Sequence, residues 1–197
     1  MSDAARREAM RDFLVASGWG DASIAPLPGD ASTRRYARLR QNGRQAMLMD
    51  QPQNAEAPVA PAGATAEQRR ALGYNAVARL AGADCARFAA VAGYLRGLGL
   101  GAPAIHAADH AQGFAILEDL GDALFADVMA QGADEAPLYT AAVEVLAKLH
   151  AGAAPETIGA GKPLFAYDET ALIAETDLLT EWFLPLALAR EATAEEI

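Results

Sequence analysis

"GDASTRRYARLRQNGRQAMLMDQP", residues 29–52, is the stretch whose reading decides the fold. At its centre stands Asn42-Gly43, the strongest short hairpin signal a sequence offers, because both central positions of a type I′ turn need positive φ. The flanks "STRRYARLR" and "RQAMLMD" therefore read as two strands. Before them, Gly29, Asp30, Ala31 and Ser32 form a turn of small residues. Backbone N–H groups in such a turn can approach phosphate oxygens, and the serine hydroxyl adds a donor. Taken alone, the same residues also read as a plain Pro-Gly-Asp turn. Two-residue alternation places Arg34, Tyr36 and Arg38 on one strand face and Arg35 on the other. The arginines offer bidentate forks suited to phosphate, although solvated arginines on an exposed strand give the same pattern. The second strand has no lysine; the chain's two lysines are Lys148 and Lys162.

Outward from this hairpin the signals divide the chain. Ser2 or Asp3 can cap a first helix carrying Ala9, Met10, Phe13, Leu14 and Val15, and Gly18 stops it. Residues 53–63 are rich in Pro and Ala and read as a surface connection, and a weak helical pattern runs from Ala66 to Leu80. A clearer helix begins at "DCARFAAV", with Phe88, Val91, Ala92, Leu95 and Leu98 at helical spacing, and ends at Gly99, Gly101 and Pro103. "AIHAAD" and "FAILEDL" are short strands around a turn. From Gly121 onward the pattern is helical: Leu138, Ala142, Val145, Leu146 and Leu149 share one face. A last helix starts at the capping residue Asp168 and presents Leu172, Ile173, Thr176, Leu179 and Phe183. The expected fold is α+β in two lobes, residues 1–119 rich in strands and residues 120–197 helical, joined near 119–121.

With 197 residues, 52% of them hydrophobic and 21% charged, the chain suits one good-sized domain or two small lobes. Its net charge of −10 argues against a nucleic-acid partner, so an anionic ligand needs a local arginine cluster. The single cysteine, Cys85, excludes an internal disulfide and fits a reducing compartment. Neither a leader-like segment nor an 18-residue apolar run is present, so a cytoplasmic protein without a membrane partner is expected. His106 and His110 lie on a strand and turn rather than one helical face, and His150 ends a helix where the dipole favours it. No metal set is expected from them.

The joint order of "GDASTRRYARL", "LMDQP", "GFAILEDLGD", "LAKLH" and "EWFL" resembles the aminoglycoside-phosphotransferase-like kinases. The nearest branch is the bacterial kinases of N-acetylmuramate and N-acetylglucosamine. The resemblance implies a protein-kinase-like bilobal fold, with a small strand-rich lobe and the beginning of a helical one. ATP and Mg²⁺ are then the implied cofactors, and a small-molecule hydroxyl, most naturally an amino sugar's, the acceptor. Gly29, Asp30, Ala31 and Ser32 would cover the phosphates. Protein kinases anchor the α- and β-phosphates with a lysine on the third strand; here Arg35 and Arg38 are the candidate substitutes. Asp84 or Glu67 would be the acidic partner of that anchor. Ile116 and Leu117 would line the adenine slot, with the backbone of Glu118, Asp119 and Leu120 reading the base edge. Glu175, Asp177, Glu181 and Trp182 are implied on the acceptor side, although carboxylates there also suit a solvated helix face. Asp50 receives no role.

Phosphoryl transfer in this fold uses H-x-D-x-x-x-x-N and a later metal-binding aspartate. His150 is followed by "AGAAPET", with neither Asp nor Asn, so no catalytic residue is assigned. The metal ligands are expected beyond Ile197, and the chain is expected to be inactive alone. Two other readings stand beside this one: a non-catalytic relic of the fold that binds nucleotide or a partner, and an unrelated α+β module. An apolar face on the last helices would call for dimerisation or a further lobe to cover it.

Overall fold

The computed structural model describes residues 2–29, 32–52, 59–80, 82–191 and 193. In chain order its elements are α1 (Asp3–Ala16), β1 (Ser23–Pro26), β2 (Arg35–Gln41), β3 (Arg44–Asp50), α2 (Ala66–Leu72), α3 (Tyr74–Val77), α4 (Cys85–Gly97), β4 (Ile105–Asp109) and β5 (Phe114–Leu117). There follow α5 (Phe125–Ala130), α6 (Glu135–His150), β6 (Thr157–Ile158), β7 (Lys162–Pro163), α7 (Glu169–Leu178), a π-helical turn (Leu179–Phe183) and α8 (Leu184–Leu188). They form two units that are not sequential, Met1–Pro52 with Asp84–Leu164, and Gln53–Ala83 with Phe165–Ile197. The junction expected at 119–121 falls inside the first unit.

The first unit is built on a five-stranded antiparallel sheet ordered β1-β2-β3-β5-β4. Asn42 and Gly43 turn between β2 and β3 with φ of 51° and 74°, as the type I′ geometry demands. Residue parity then sorts the side chains. Ala37, Leu39, Ala46, Leu48, Phe114 and Ile116 face α1, where Phe13, Leu14 and Trp19 complete one core. Met49, Ala115 and Leu117 face α4, where Cys85 is buried and Tyr36, Met47, Phe88 and Ile105 pack around them. β5 is buried on both sides, which is why it reads as an unbroken apolar run. Two interior faces, each with its helix, make this sheet self-sufficient.

α1 is fixed by its ends and by one arginine. Ser2 Oγ accepts from the Ala5 amide at 3.3 Å, the capping arrangement its sequence predicts. Arg6 donates through Nε (3.0 Å) and Nη2 (2.5 Å) to Asp50 Oδ1, and through Nη1 to the Gln112 carbonyl at 2.6 Å. Its guanidinium also lies 3.8 Å from the Phe114 ring centroid. Asp50, for which the sequence suggests nothing, is thus a structural anchor for α1.

The second unit holds α2, α3, α7, the π-helical turn and α8. Thr65 and Gln68 form a reciprocal capping box at the start of α2. The weak pattern over residues 66–80 resolves into two short helices because Gly73 breaks it at φ 99°. Arg69 on α2 is only 2% exposed and organises the unit. Its Nε donates to the Ala76 carbonyl at 3.1 Å and its Nη2 to the Val77 carbonyl. Nη1 and Nη2 also grip Asp168 at 2.6 and 3.0 Å. Asp168 simultaneously caps α7 by accepting from the Ala171 amide at 3.1 Å, as expected.

Two elements correct the sequence reading. β1 is an edge strand ending in Pro26, tolerated there because an edge N–H need not pair; four exposed residues carry no alternation to reveal it. The β6–β7 hairpin interrupts a region expected to be helical throughout, and its two-residue strands are too short for any periodicity.

Candidate functional site

The connection leaving β5 is held by a four-residue polar cluster. Arg38 donates from Nε to Asp119 Oδ2 at 2.6 Å and from Nη2 to Asp119 Oδ1 at 3.2 Å. The same guanidinium reaches Asp122 at 2.9 Å from Nη1 and 2.7 Å from Nη2. Asp119 also accepts from Gln45 Nε2 at 2.7 Å and from the Gly121 amide at 3.0 Å. Its side chain is 3% exposed, so the carboxylate is satisfied entirely by protein donors. The Arg38 guanidinium, aided by the Gly121 amide, brings Asp119 down to about 2. Asp122 is also lowered by Arg38, and the two carboxylates together, Asp122 first, raise Arg38.

Two amides of the connection are already engaged, that of Gly121 by Asp119 and that of Glu118 by Ala104. The Glu118 amide is used within the sheet, donating to Ala104 O at 2.8 Å, while Glu118 Oε2 accepts from the Ala104 amide at 3.0 Å. The Leu120 amide has no partner among the described residues, and its side chain is exposed. Met47 and Leu117 pair across β3 and β5 on the α4-facing side immediately before it.

The residues nominated from sequence divide among several settings. Gly29 is exposed, and Asp30 and Ala31 lie outside the described residues. Ser32 Oγ accepts from the Arg34 amide at 3.1 Å and from Arg34 Nε at 3.2 Å. Arg34 lies 5.9 Å from the Phe88 ring centroid, on the α4-facing side with Tyr36 and Arg38. Arg35 is exposed and shares the opposite parity with Ala37 and Leu39. Arg35 and Arg38 therefore do not converge on one ligand. Arg34 shares the parity of Arg38, as two-residue alternation from the sequence indicates. β3, third in chain order, places fully buried Met49 on that face. Asp84 caps α4 through the Arg87 amide at 3.0 Å and pairs with Lys162 Nζ at 2.8 Å. Glu67 is exposed on α2, in the other unit.

In the second unit, Glu175 accepts from the Tyr74 hydroxyl at 3.0 Å. Burial and the Glu175 carboxylate push that phenol up to about 12. Asp177 lines a cleft between α2–α3 and α7. Glu181 and Trp182 sit in the π-helical turn, Trp182 being 71% exposed, and neither lines that cleft.

An antiparallel five-stranded sheet with a helix packed on each face is the strand lobe of a protein-kinase-like fold. Residues 23–196 match the model of the phosphotransferase enzyme family, and the chain belongs to that family. It is 46% identical over 180 residues to the N-acetylmuramate/N-acetylglucosamine kinase of Caulobacter vibrioides, covering 90% of this chain and 50% of that protein. The protein of the same name from Pseudomonas aeruginosa is 32% identical over 209 residues, covering 100% of this chain and 52% of its own length. That from Pseudomonas putida is 27% identical over 181 residues, at 90% and 43%. The chain thus spans about half the length of the curated relatives it matches.

Proposed function

We propose that this chain is the nucleotide-binding part of an ATP-dependent amino-sugar kinase. The observation that carries the reading is the identity to the Caulobacter kinase, 46% over 90% of this chain. The local geometry supports it. Met47 and Leu117, side by side on the α4-facing side, would form one wall for the adenine, Ile116 facing α1 instead, and the Leu120 amide would donate to its edge. The Arg38–Asp119–Asp122 cluster holds the connector so that this amide stays presented. Arg34 would meet the phosphates on the face where Met49 stands instead of a lysine, and Gly29, Asp30, Ala31 and Ser32 are the residues proposed to cover them. ATP supplies the γ-phosphoryl group; the residues here bind and orient it.

No three or more His, Cys, Asp or Glu side chains are grouped to hold a metal among the described residues. No described helix is long and apolar enough to cross a membrane. H-x-D-x-x-x-x-N is absent from the 197 residues, so we expect them to bind nucleotide without transferring phosphate.

The test is phosphoryl transfer from radiolabelled ATP to N-acetylglucosamine and N-acetylmuramate, run on these 197 residues and on the product of the complete reading frame. Transfer by the complete product alone supports the proposal. Transfer by neither overturns the kinase reading, and transfer by the 197 residues overturns the assignment of chemistry elsewhere. Saturable nucleotide binding with no transfer by either would favour the non-catalytic reading.

A further inference from the structure

The second unit contains a cleft of about 270 Å³ lined by Arg70, Val77, Glu169, Thr170, Ile173, Ala174 and Asp177. That is near the lower end, roughly 300 Å³, of small-molecule pockets, and suits a monosaccharide better than a nucleotide. Its wall chemistry is mixed. Val77 and Ile173 offer an apolar surface for the C–H face of a sugar ring. Glu169, Thr170 and Asp177 offer hydroxyl partners. Arg70 stands opposite as the one cation of the lining. Its guanidinium makes no hydrogen bond or ion pair among the described residues, whereas the adjacent Arg69 is wholly consumed by Asp168 and two carbonyls.

Successive helix positions diverge by about 100°, which sends these two arginines to different tasks. Arg69 ties the residues after α2 to the start of α7. The walls of the cleft are therefore braced before a ligand arrives, and little ordering cost falls on binding.

We infer that this cleft takes an amino sugar and that Arg70 determines whether a sugar bearing a carboxylate is accepted there. The inference rests on the amino-sugar reading above and deepens it. N-acetylmuramate and N-acetylglucosamine differ by a lactyl ether, so one is an anion and the other neutral. The cleft's charged side chains are Arg70, Glu169 and Asp177. With Arg70 the cleft carries one net negative charge; without it, two carboxylates face an incoming anion with nothing to pair it. Guanidinium forks bind carboxylates bidentately, so the loss falls selectively on the anionic sugar. Arg70 also lies in the last turn of α2, where a cation suits the helix dipole. That role alone would alter stability and leave the choice between sugars unchanged.

The experiment is isothermal titration of the 197-residue chain with each sugar, using Arg70→Ala, Arg70→Lys and Asp177→Asn, with melting curves to verify folding. Expected is at least a tenfold loss of N-acetylmuramate affinity in Arg70→Ala, with N-acetylglucosamine changed less than about twofold and partial retention in Arg70→Lys. Asp177→Asn should weaken the neutral sugar as well. The N-acetylmuramate affinity should fall with added salt more steeply than that of the neutral sugar. Equal loss of both sugars in Arg70→Ala, no loss of either, or no binding of either sugar by the unsubstituted chain would overturn the inference. The transfer assay above decides the kinase reading independently of these titrations.

Discussion

Arg69→Met is the perturbation whose consequence the structure specifies most fully. Methionine preserves much of the apolar stem and removes the guanidinium. Two carbonyls, Ala76 and Val77, lose the donors that a 2%-exposed side chain supplied. Ala76 O keeps the long contact from the Arg79 amide at 3.4 Å and the Val77 bond is only part-buried, so the two acceptors together cost about 3 kcal/mol. Asp168 loses two charge-assisted bonds, but its side chain is 36% exposed and rehydrates, so about 1 kcal/mol is its share. The sum is about 4 kcal/mol, a large part of the 5–15 kcal/mol that typically holds a domain together. Hydrogen exchange resolves where the loss falls. Amides of α2, α3 and α7 that exchange through opening of the second unit should speed up by about three powers of ten, at 1.4 kcal/mol per tenfold. Amides of β2, β3 and β5 should be far less affected. Arg70→Met, one residue along the same helix, is the internal control and should change exchange less than about threefold. Asp168→Asn keeps a good helix cap and removes the charge, so combined with Arg69→Met it isolates the ion pair from the carbonyl bonds. Acceleration below tenfold in Arg69→Met, or equal effects of the two arginines, would refute the reasoning.

Three further outcomes follow from the same geometry. Arg38→Met should lower the urea midpoint followed by the buried Trp19, and Asp122→Asn should lower it much less, because the Asp122 side chain is 73% exposed; equal shifts would show that Asp119 is not the dominant partner. Asp119 and Asp168 are each lowered from 3.8 to about 2 by arginine, so the native state binds fewer protons than the unfolded chain. The stability they contribute is full above about pH 4 and is lost as pH falls toward 2, and Asp119→Asn should flatten the melting-temperature profile in that window; an unchanged slope contradicts the assignment. Arg34→Ala should weaken ATP binding by about tenfold, a lost charge-assisted bond, while Arg35→Ala, on the opposite face, should change it less than about twofold; the reverse order would return the phosphate contact to Arg35.

Local chemistry explains which parts were legible in advance. Asn42-Gly43, the Asp168 and Ser2 caps and the apolar run of β5 are signals contained within four to eight residues, and each appears where the sequence places it. β1 was hidden because an exposed four-residue edge is too short and too evenly exposed to show an alternation. The two units were hidden for a different reason. The second is assembled from residues 53–83 and 165–197, and its keystone is a contact between Arg69 and Asp168. Nothing in "AEQRRAL" distinguishes the buried arginine from the exposed one beside it.

The same limit governs the site. Asp50 and Asp119 look alike as aspartates at strand ends, yet one receives Arg6 and secures α1 while the other receives Arg38 and secures the connector. Partners 44 and 81 residues away decide the difference. Parity, by contrast, is local information: it already placed Arg34 with Arg38 and against Arg35. Once Met49 is seen buried on that face, the missing lysine is no longer an isolated gap in β3. A fully buried methionine leaves no room there for an unpaired ammonium, so on the proposed reading a cation for the phosphates would enter from the rim of the sheet. Arg34 is at that rim, oriented by Ser32 Oγ and backed by Phe88. Met49→Lys should therefore destabilise the first unit and fail to restore any nucleotide affinity lost in Arg34→Ala, because burial opposes the charge the lysine would need. A double variant that folds and binds ATP as well as the parent would show instead that β3 still offers the phosphate site this family is expected to place there.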